Sequence, residues 1–241
     1  MEYNKLLLSW KGPNTKINYL VGVLEKHEEI YCFYYNLTEV EKANDEGFKP
    51  FIGLSDVNKV YRSEKLFSVF ERRLPHQSRA IFKKFIEDHG QNKSNDHNWD
   101  YLSLTKGRLA TDSVSFLNPI VFKNGQLLFS FEVAGWSYTK TINRLLEVED
   151  VLNIGIDLNN PWDQYALELT DPKNNNVRVG YMPRPFNEVC YKFILNDLKL
   201  EAMIVGIIGE EARPIAFVFS DKFHDHDVDI PEEYKYLIEF Q

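Results

Sequence analysis

Hydrophobic residues in this chain come in short alternating runs, with only a few stretches at the three-to-four-residue spacing of a helix. Leu6 to Trp10, Asn18 to Leu24 and Glu29 to Tyr35 are short, rich in aromatic and β-branched residues, and separated by Gly12-Pro13 and charged turns. They predict strands of a small antiparallel sheet. After a turn-rich stretch from Asn44 to Asp56, Leu66, Phe67 and Phe70 share a helical face behind Ser63, which can cap it, and Leu74-Pro75 stops the segment. Ser78 caps a second predicted helix with Ile81, Phe82, Phe85 and Ile86 on one side, closing near Gly90. Asn92 to Asn98 is polar loop sequence, and Trp99 to Leu104 predicts a further turn or two of helix ended by Gly107.

Past a bridge from Arg108 to Pro119, strict alternation takes over. Asn124-Gly125 is a hairpin signal between Ile120–Phe122 and Leu127–Val133, and Gly135 follows where the backbone can bulge or approach something closely. Leu152–Ile156, Tyr165–Leu169, Val177–Tyr181, Leu200–Ile208 and Pro214–Phe219 predict more strands. Pro185 opens a single helix from Phe186 to about Leu195, with Val189, Cys190 and Phe193 facing inward. Short strands with one late helix predict a small, partly closed β-barrel. The expected fold class is therefore α+β: a small antiparallel sheet plus helices over residues 1–119, an OB-like β-barrel with one helix over 120–222, and an acidic tail over 223–241 that can hold a short helix.

Composition narrows the function. No apolar run approaches the ~18 residues of a membrane span, and Met1-Glu-Tyr-Asn-Lys followed by three leucines is no signal peptide, so a cytoplasmic protein is expected. Cys32 and Cys190 alone support neither a disulfide framework nor a Cys-rich zinc site. The formal charge of −8 excludes a protein that coats duplex DNA through a basic face. Its distribution is uneven: residues 1–127 carry 18 Lys+Arg and 16 Asp+Glu, residues 128–222 carry 9 and 14, and residues 223–241 carry 1 and 6. Any nucleic-acid contact must be local, leaning on stacking rather than on many phosphates. No nucleophile elbow, Walker loop, zincin helix or placed carboxylate pair is visible, so no enzyme and no cofactor are expected. In the tail, extended chain puts His224 and His226 opposite Asp225 and Asp227 with no second ligand pair nearby, which reads as a solvated acidic linker rather than a metal site.

The most specific chemistry lies in Asp157-Leu-Asn-Asn-Pro-Trp-Asp163 and the strand after it. Asn159, Asn160, Pro161 and Asp163 are turn residues, and Trp162 stands among them where a solvated loop normally carries a small polar group. Trp162 either stacks on a planar ligand whose edge the amides can bond, or folds back to cap the core. Asn159, Asn160 and Asp163 either face that ligand or satisfy the turn's own backbone. In the first half, Arg72, Arg73 and Arg79 bracket Leu74-Pro75; they either meet a phosphate or an acidic partner, or pair with neighbouring glutamates on solvated helix faces.

Two resemblances add to this. Val21-Gly22, Phe33 to Tyr35, Arg62-Ser63, Leu66-Phe67, Phe70, Arg72 to Pro75, Arg79 and Trp99 to Leu102 resemble, in order, the N-terminal subdomain of HipA-type toxin kinases. That likeness implies a protein-interaction role through Arg72, Arg73 and Arg79, including an antitoxin-like one in which a separate small protein restrains a kinase; the kinase lobe itself has no counterpart here. Phe131 to Tyr138, Asn159 to Asp163 with Ala166, and Val179 to Arg184 before a helix resemble the HIRAN domain, a modified OB-like barrel that captures the 3′-hydroxyl end of single-stranded DNA. The resemblance implies a pocket of Tyr138, Asn159, Asn160, Trp162 and Asp163, with Arg184 supplying the positive charge that Ser137 does not.

Overall fold

The structure is a computed structural model and describes residues 3–76, 80, 84, 96–140, 145–223 and 230–241. It divides into two compact units, Met1–Pro119 and Ile120–Gln241. The predicted helix behind Ser78, Arg79 and the His224–Asp227 cluster lie outside the described residues.

The first unit is built on five antiparallel strands in the order β4-β3-β2-β1-β5, with β1 Lys5–Lys11, β2 Asn18–His27, β3 Ile30–Tyr35, β4 Tyr61–Ser63 and β5 Val114–Leu117. Helices α1 (Leu37–Asp45), α2 (Ser68–Glu71) and α3 (His97–Thr105) accompany it. Phe33 is at the centre of its core, edge-on to Tyr35, Phe51 and Phe70, and Phe70 packs in turn on Phe116. Tyr35 is tied in at its polar end, its hydroxyl donating to the Leu54 carbonyl (2.8 Å) and accepting from the Phe51 amide (2.7 Å). Ser63 does not cap a helix. It closes β4 and accepts the Lys65 amide at 3.0 Å, while α2 begins five residues later. Helix α1 starts at Asn36, whose side chain accepts the Glu39 amide (3.3 Å), an asparagine cap with an acidic residue in the first turn.

The second unit is one eight-stranded sheet in the order β10-β9-β8-β11-β12-β7-β6-β13. Its strands are β6 Ile120–Lys123, β7 Gln126–Glu132, β8 Val151–Ile156, β9 Leu167–Asp171, β10 Val177–Tyr181, β11 Leu200–Ile208, β12 Arg213–Ser220 and β13 Ile238–Phe240. Helix α4 (Trp136–Thr139) follows β7, and α5 (Phe186–Leu195) follows β10. Phe186 of α5 packs on Phe129 and Phe131 of β7, and Val189, Cys190 and Phe193 are buried with it. Residues 230–241 of the acidic C-terminal stretch are structured: Tyr234 and Leu237 are buried in a 3-10 turn, and β13 pairs with β6 in parallel.

The expected OB-like barrel does not form. The sheet has two open edges, β10 and β13, and closure toward β10 stops at one bridge between Ala134 and Tyr181. The reason is local to the end of β7. Its ladder with β12 ends at Glu132, and Gly135, with φ of 72°, turns the chain out of the strand direction into α4. A barrel needs a ladder at that point, and a helix cannot supply one. The fold is α+β with open sheets.

Candidate functional site

Two segments of the second unit carry the side chains singled out by the sequence, and both are fastened to β10. The first is α4. Trp136 is buried with its indole N–H donating to the Glu211 carbonyl (2.9 Å), and the Thr139 hydroxyl donates to the Val179 carbonyl. These inward anchors, one on either side of the Ser137-Tyr138 pair, leave that pair outward, and Tyr138 is 88 % exposed.

The second is the loop from Asp157 to Ala166, closed by the Asp157 amide donating to the Ala166 carbonyl (3.0 Å). Inside it runs a relay of side-chain turns. Asp157 Oδ1 accepts the Asn159 amide (3.1 Å), Asn160 Oδ1 accepts the amides of Trp162 (3.0 Å) and Asp163 (3.1 Å), and Asp163 Oδ1 accepts the Tyr165 amide (3.0 Å). Asn160 and Asp163 thus spend acceptor capacity on the backbone, as the turn chemistry predicts. Trp162 does not cap the core. It is 89 % exposed, on a loop whose shape is set by hydrogen bonds rather than by burial of its ring.

Asp163 also fixes the loop to α5. Its Oδ2 accepts from Arg184 Nε (2.9 Å) and from Asn187 Nδ2 (3.0 Å), and the same Asn187 amide reaches the Tyr165 carbonyl (3.2 Å). Burial alone would raise the Asp163 carboxyl; the hydrogen bonds from Arg184, the Tyr165 amide and Asn187, with the charge of Arg184, outweigh it and hold the group below the usual carboxylate range. Arg184 is therefore held in an ion pair rather than extended into solvent.

Sequence reasoning passed over Tyr181, Arg178, Asp157 and Asn187. Tyr181 exchanges both backbone hydrogen bonds with Ala134 (2.9 Å each) and donates its hydroxyl to Asp157 Oδ2 (2.8 Å), so one residue touches both aromatic-bearing segments. Burial and the bond to Asp157 raise its phenol above the ordinary value. The Arg178 guanidinium lies over the Tyr181 ring, 5.0 Å from its centroid. Simple alternation would send residues 178 and 181 to opposite faces; a register shift between Arg178 and Gly180 brings them together. Gly180 is required there because a Cβ would collide with the Ala134 carbonyl and the Val133 side chain. The Gly in Val177-Arg-Val-Gly-Tyr181 was the available signal for that bulge.

Among the described residues, the cations near these segments face acids: Lys140 with Glu211 (3.5 Å), Arg178 with Asp157 (3.6 Å) and Glu168 (3.8 Å), Arg184 with Asp163, and Arg213 with Glu132 (3.5 Å). The arrangement offers two exposed π faces, amide groups and a charge-balanced rim. It can stack planar groups; it is not a basic groove. Among the described residues no group of His, Cys, Asp and Glu could hold a metal ion, and no helix is long and apolar enough to cross a membrane.

In the first unit, Arg72 is exposed and Arg73 is not. Arg73 is 6 % exposed, pairs with Asp112, and donates to the carbonyls of Gly107 (3.0 Å) and Val114 (3.2 Å). Its expected place on a partner-binding face is corrected by that burial: the guanidinium ties the chain before and at the start of β5.

Fold and site together define an α+β protein of two units, the second carrying a pair of exposed aromatics over a charge-balanced rim. No protein-family model matches the chain, and no curated protein matches it. Among solved structures, the HIRAN domain of human HLTF is similar over 41 % of this chain and 81 % of that one, with 16 % identity and a TM-score of 0.34. A Lactobacillus plantarum protein solved by a structural genomics consortium is similar over 41 % of this chain and 100 % of that one, with 15 % identity and a TM-score of 0.33. With no family model and no curated protein matching, the HipA-type likeness and the toxin–antitoxin role expected for the first unit find no support.

Proposed function

We propose that the second unit is a non-enzymatic module that binds single-stranded nucleic acid, with DNA 3′ ends as its target, by stacking bases on Trp162 and Tyr138. The observation that carries this reading is the exposure of both rings on segments that are otherwise tightly anchored: hydrogen bonds shape the Trp162 loop, and buried Trp136 and Thr139 hold α4. Bound bases would supply the apolar contact that the protein leaves off these two faces, at about 1–3 kcal/mol per stacked base. The balanced rim supports a ligand that brings few phosphates, which an end does and a duplex does not. The choice of 3′ ends rests on the motif resemblance of Phe131 to Tyr138, Asn159 to Asp163 and Val179 to Arg184.

The test is binding of fluorescently labelled oligonucleotides ending in a 3′-hydroxyl, a 3′-phosphate or a blunt duplex, to wild type and to Trp162→Ala and Tyr138→Ala. Each substitution should weaken binding of the 3′-hydroxyl strand by about 5- to 150-fold, the equivalent of one lost stack. Because both rings are exposed, folding stability should move by less than about 0.5 kcal/mol. Absence of binding by wild type at micromolar protein, or equal binding by both variants, would overturn the proposal.

A further inference from the structure

We infer that Arg178 is the side chain that meets a nucleotide phosphate at this site, and that Arg184, the cation the motif points to, does not; the inference rests on the stacking function proposed above. The two guanidiniums differ in how they are held. Arg184 Nε sits 2.9 Å from Asp163 Oδ2, inside a network that also includes the buried Asn187 amide, so drawing it away would break one of the hydrogen bonds that fix the Trp162 loop to α5. Arg178 faces Asp157 and Glu168 at 3.6 and 3.8 Å, beyond hydrogen-bond length, and its side chain is 45 % exposed.

The acids that face Arg178 do not depend on it. Asp157 keeps the Tyr181 hydroxyl at 2.8 Å and the Asn159 amide at 3.1 Å, and Glu168 has a 30 % exposed side chain that water can solvate. Moving Arg178 toward a phosphate therefore leaves neither of these two carboxylates both buried and unpaired. Position favours it as well. It lies on β10, the strand to which both aromatic segments are anchored, and its guanidinium lies over the Tyr181 ring, 5.0 Å from the centroid, a contact that a planar cation can keep while its N–H groups bond an anion. A phosphate accepting from those N–H groups would be held on the strand that anchors both the Trp162 loop and the Tyr138 helix.

The experiment measures affinity for a short oligothymidylate with a 3′-hydroxyl across a salt series, for wild type, Arg178→Gln, Arg178→Lys and Arg184→Gln. One phosphate contact contributes about 0.7 to the slope of log affinity against log salt on a single strand. Arg178→Gln should weaken binding several-fold at low salt and flatten the slope by about 0.7. Arg178→Lys should restore the slope because it keeps the charge, and Arg184→Gln should leave the slope near wild type. If Arg178→Gln keeps the wild-type slope while binding still falls with Trp162→Ala, or if Arg184→Gln is the variant that flattens it, the assignment fails and the stacking function stands. If wild type binds no strand, both fail. Circular dichroism and thermal midpoints, expected to be unchanged for both Arg178 variants, identify a folding defect, and the Arg184→Gln slope, expected to stay at the wild-type value, then decides the assignment.

Discussion

Replacing Asp163 by Ala removes the junction between the Trp162 loop and α5, and the cost can be followed bond by bond. Arg184 is 39 % exposed in its side chain and rehydrates when released, so the ion pair contributes no more than about 1 kcal/mol. Asn187 is 2 % exposed; its Nδ2 keeps the Tyr165 carbonyl but loses Asp163, and its Oδ1 has no hydrogen-bond partner among the described residues, a loss of about 1 kcal/mol. The Tyr165 amide loses its Asx-turn acceptor, another ~0.5–1.5 kcal/mol. Together these give about 2–3 kcal/mol of local destabilisation, a 30- to 150-fold drop in hydrogen-exchange protection for the Ala166 and Asp157 amides, which close the loop. Asp163→Asn should lose nearly as much, because its one carbonyl oxygen cannot serve Tyr165, Arg184 and Asn187 together and its own NH2 faces donors.

The pH dependence has a definite sign. The Asp163 carboxyl is depressed in the folded protein, so its contribution is complete above the unfolded value of ~3.9 and is lost as pH falls through the lower folded value. Loop protection in wild type should hold steady from neutral pH to about 4 and collapse below it. In Asp163→Asn the step should vanish. Exchange is measured by mass spectrometry on a peptide spanning residues 157–166, with the Asn187 side-chain amide followed by NMR. A protection change under threefold in Asp163→Ala would refute the reasoning, since it would show the loop held by something other than this junction.

Two further substitutions test the frame around the site. Arg73→Ala removes the donor to the Gly107 and Val114 carbonyls and leaves Asp112 with the Val114 amide but no counter-charge from Arg73, and should destabilise the first unit by about 3–5 kcal/mol in urea unfolding; Arg73→Lys should recover only part of it, because an ammonium cannot reproduce the fork. Gly180→Ala drives a Cβ into the Ala134 carbonyl and the Val133 side chain, and should cost about 1–3 kcal/mol while exposing the Tyr181 amide to exchange, the signature of a broken bridge to Ala134.

Much of the chain's local structure follows from its residue order. Period-two alternation marks β7, β9 and β12, where inward positions such as Phe129, Leu169 and Val218 are buried. The Asn159 to Asp163 turn has the backbone bonding its amides and carboxylates imply, because Asx chemistry acts over two or three residues. Helix α1 was not among the expected elements: Asn36 and Glu39 supply its cap and first-turn acid, but only Val40 and Ala43 are buried on it, too faint a stripe to mark a helix by periodicity. What needed the tertiary structure was every relation between distant residues. Whether Trp162 folds in or stands out depends on whether the loop closes on its own bonds, and whether Arg184 is available depends on Asp163, 21 positions away. Arg73 and Arg72 are neighbours in sequence, yet only Arg73 meets Asp112 and two carbonyls, so one is core and the other is surface. The barrel failed for the same reason: strands can be counted from alternation, but closure depends on what two distant strand ends do when they meet. Here a left-handed glycine, Gly135, sends one of them into a helix after a single bridge.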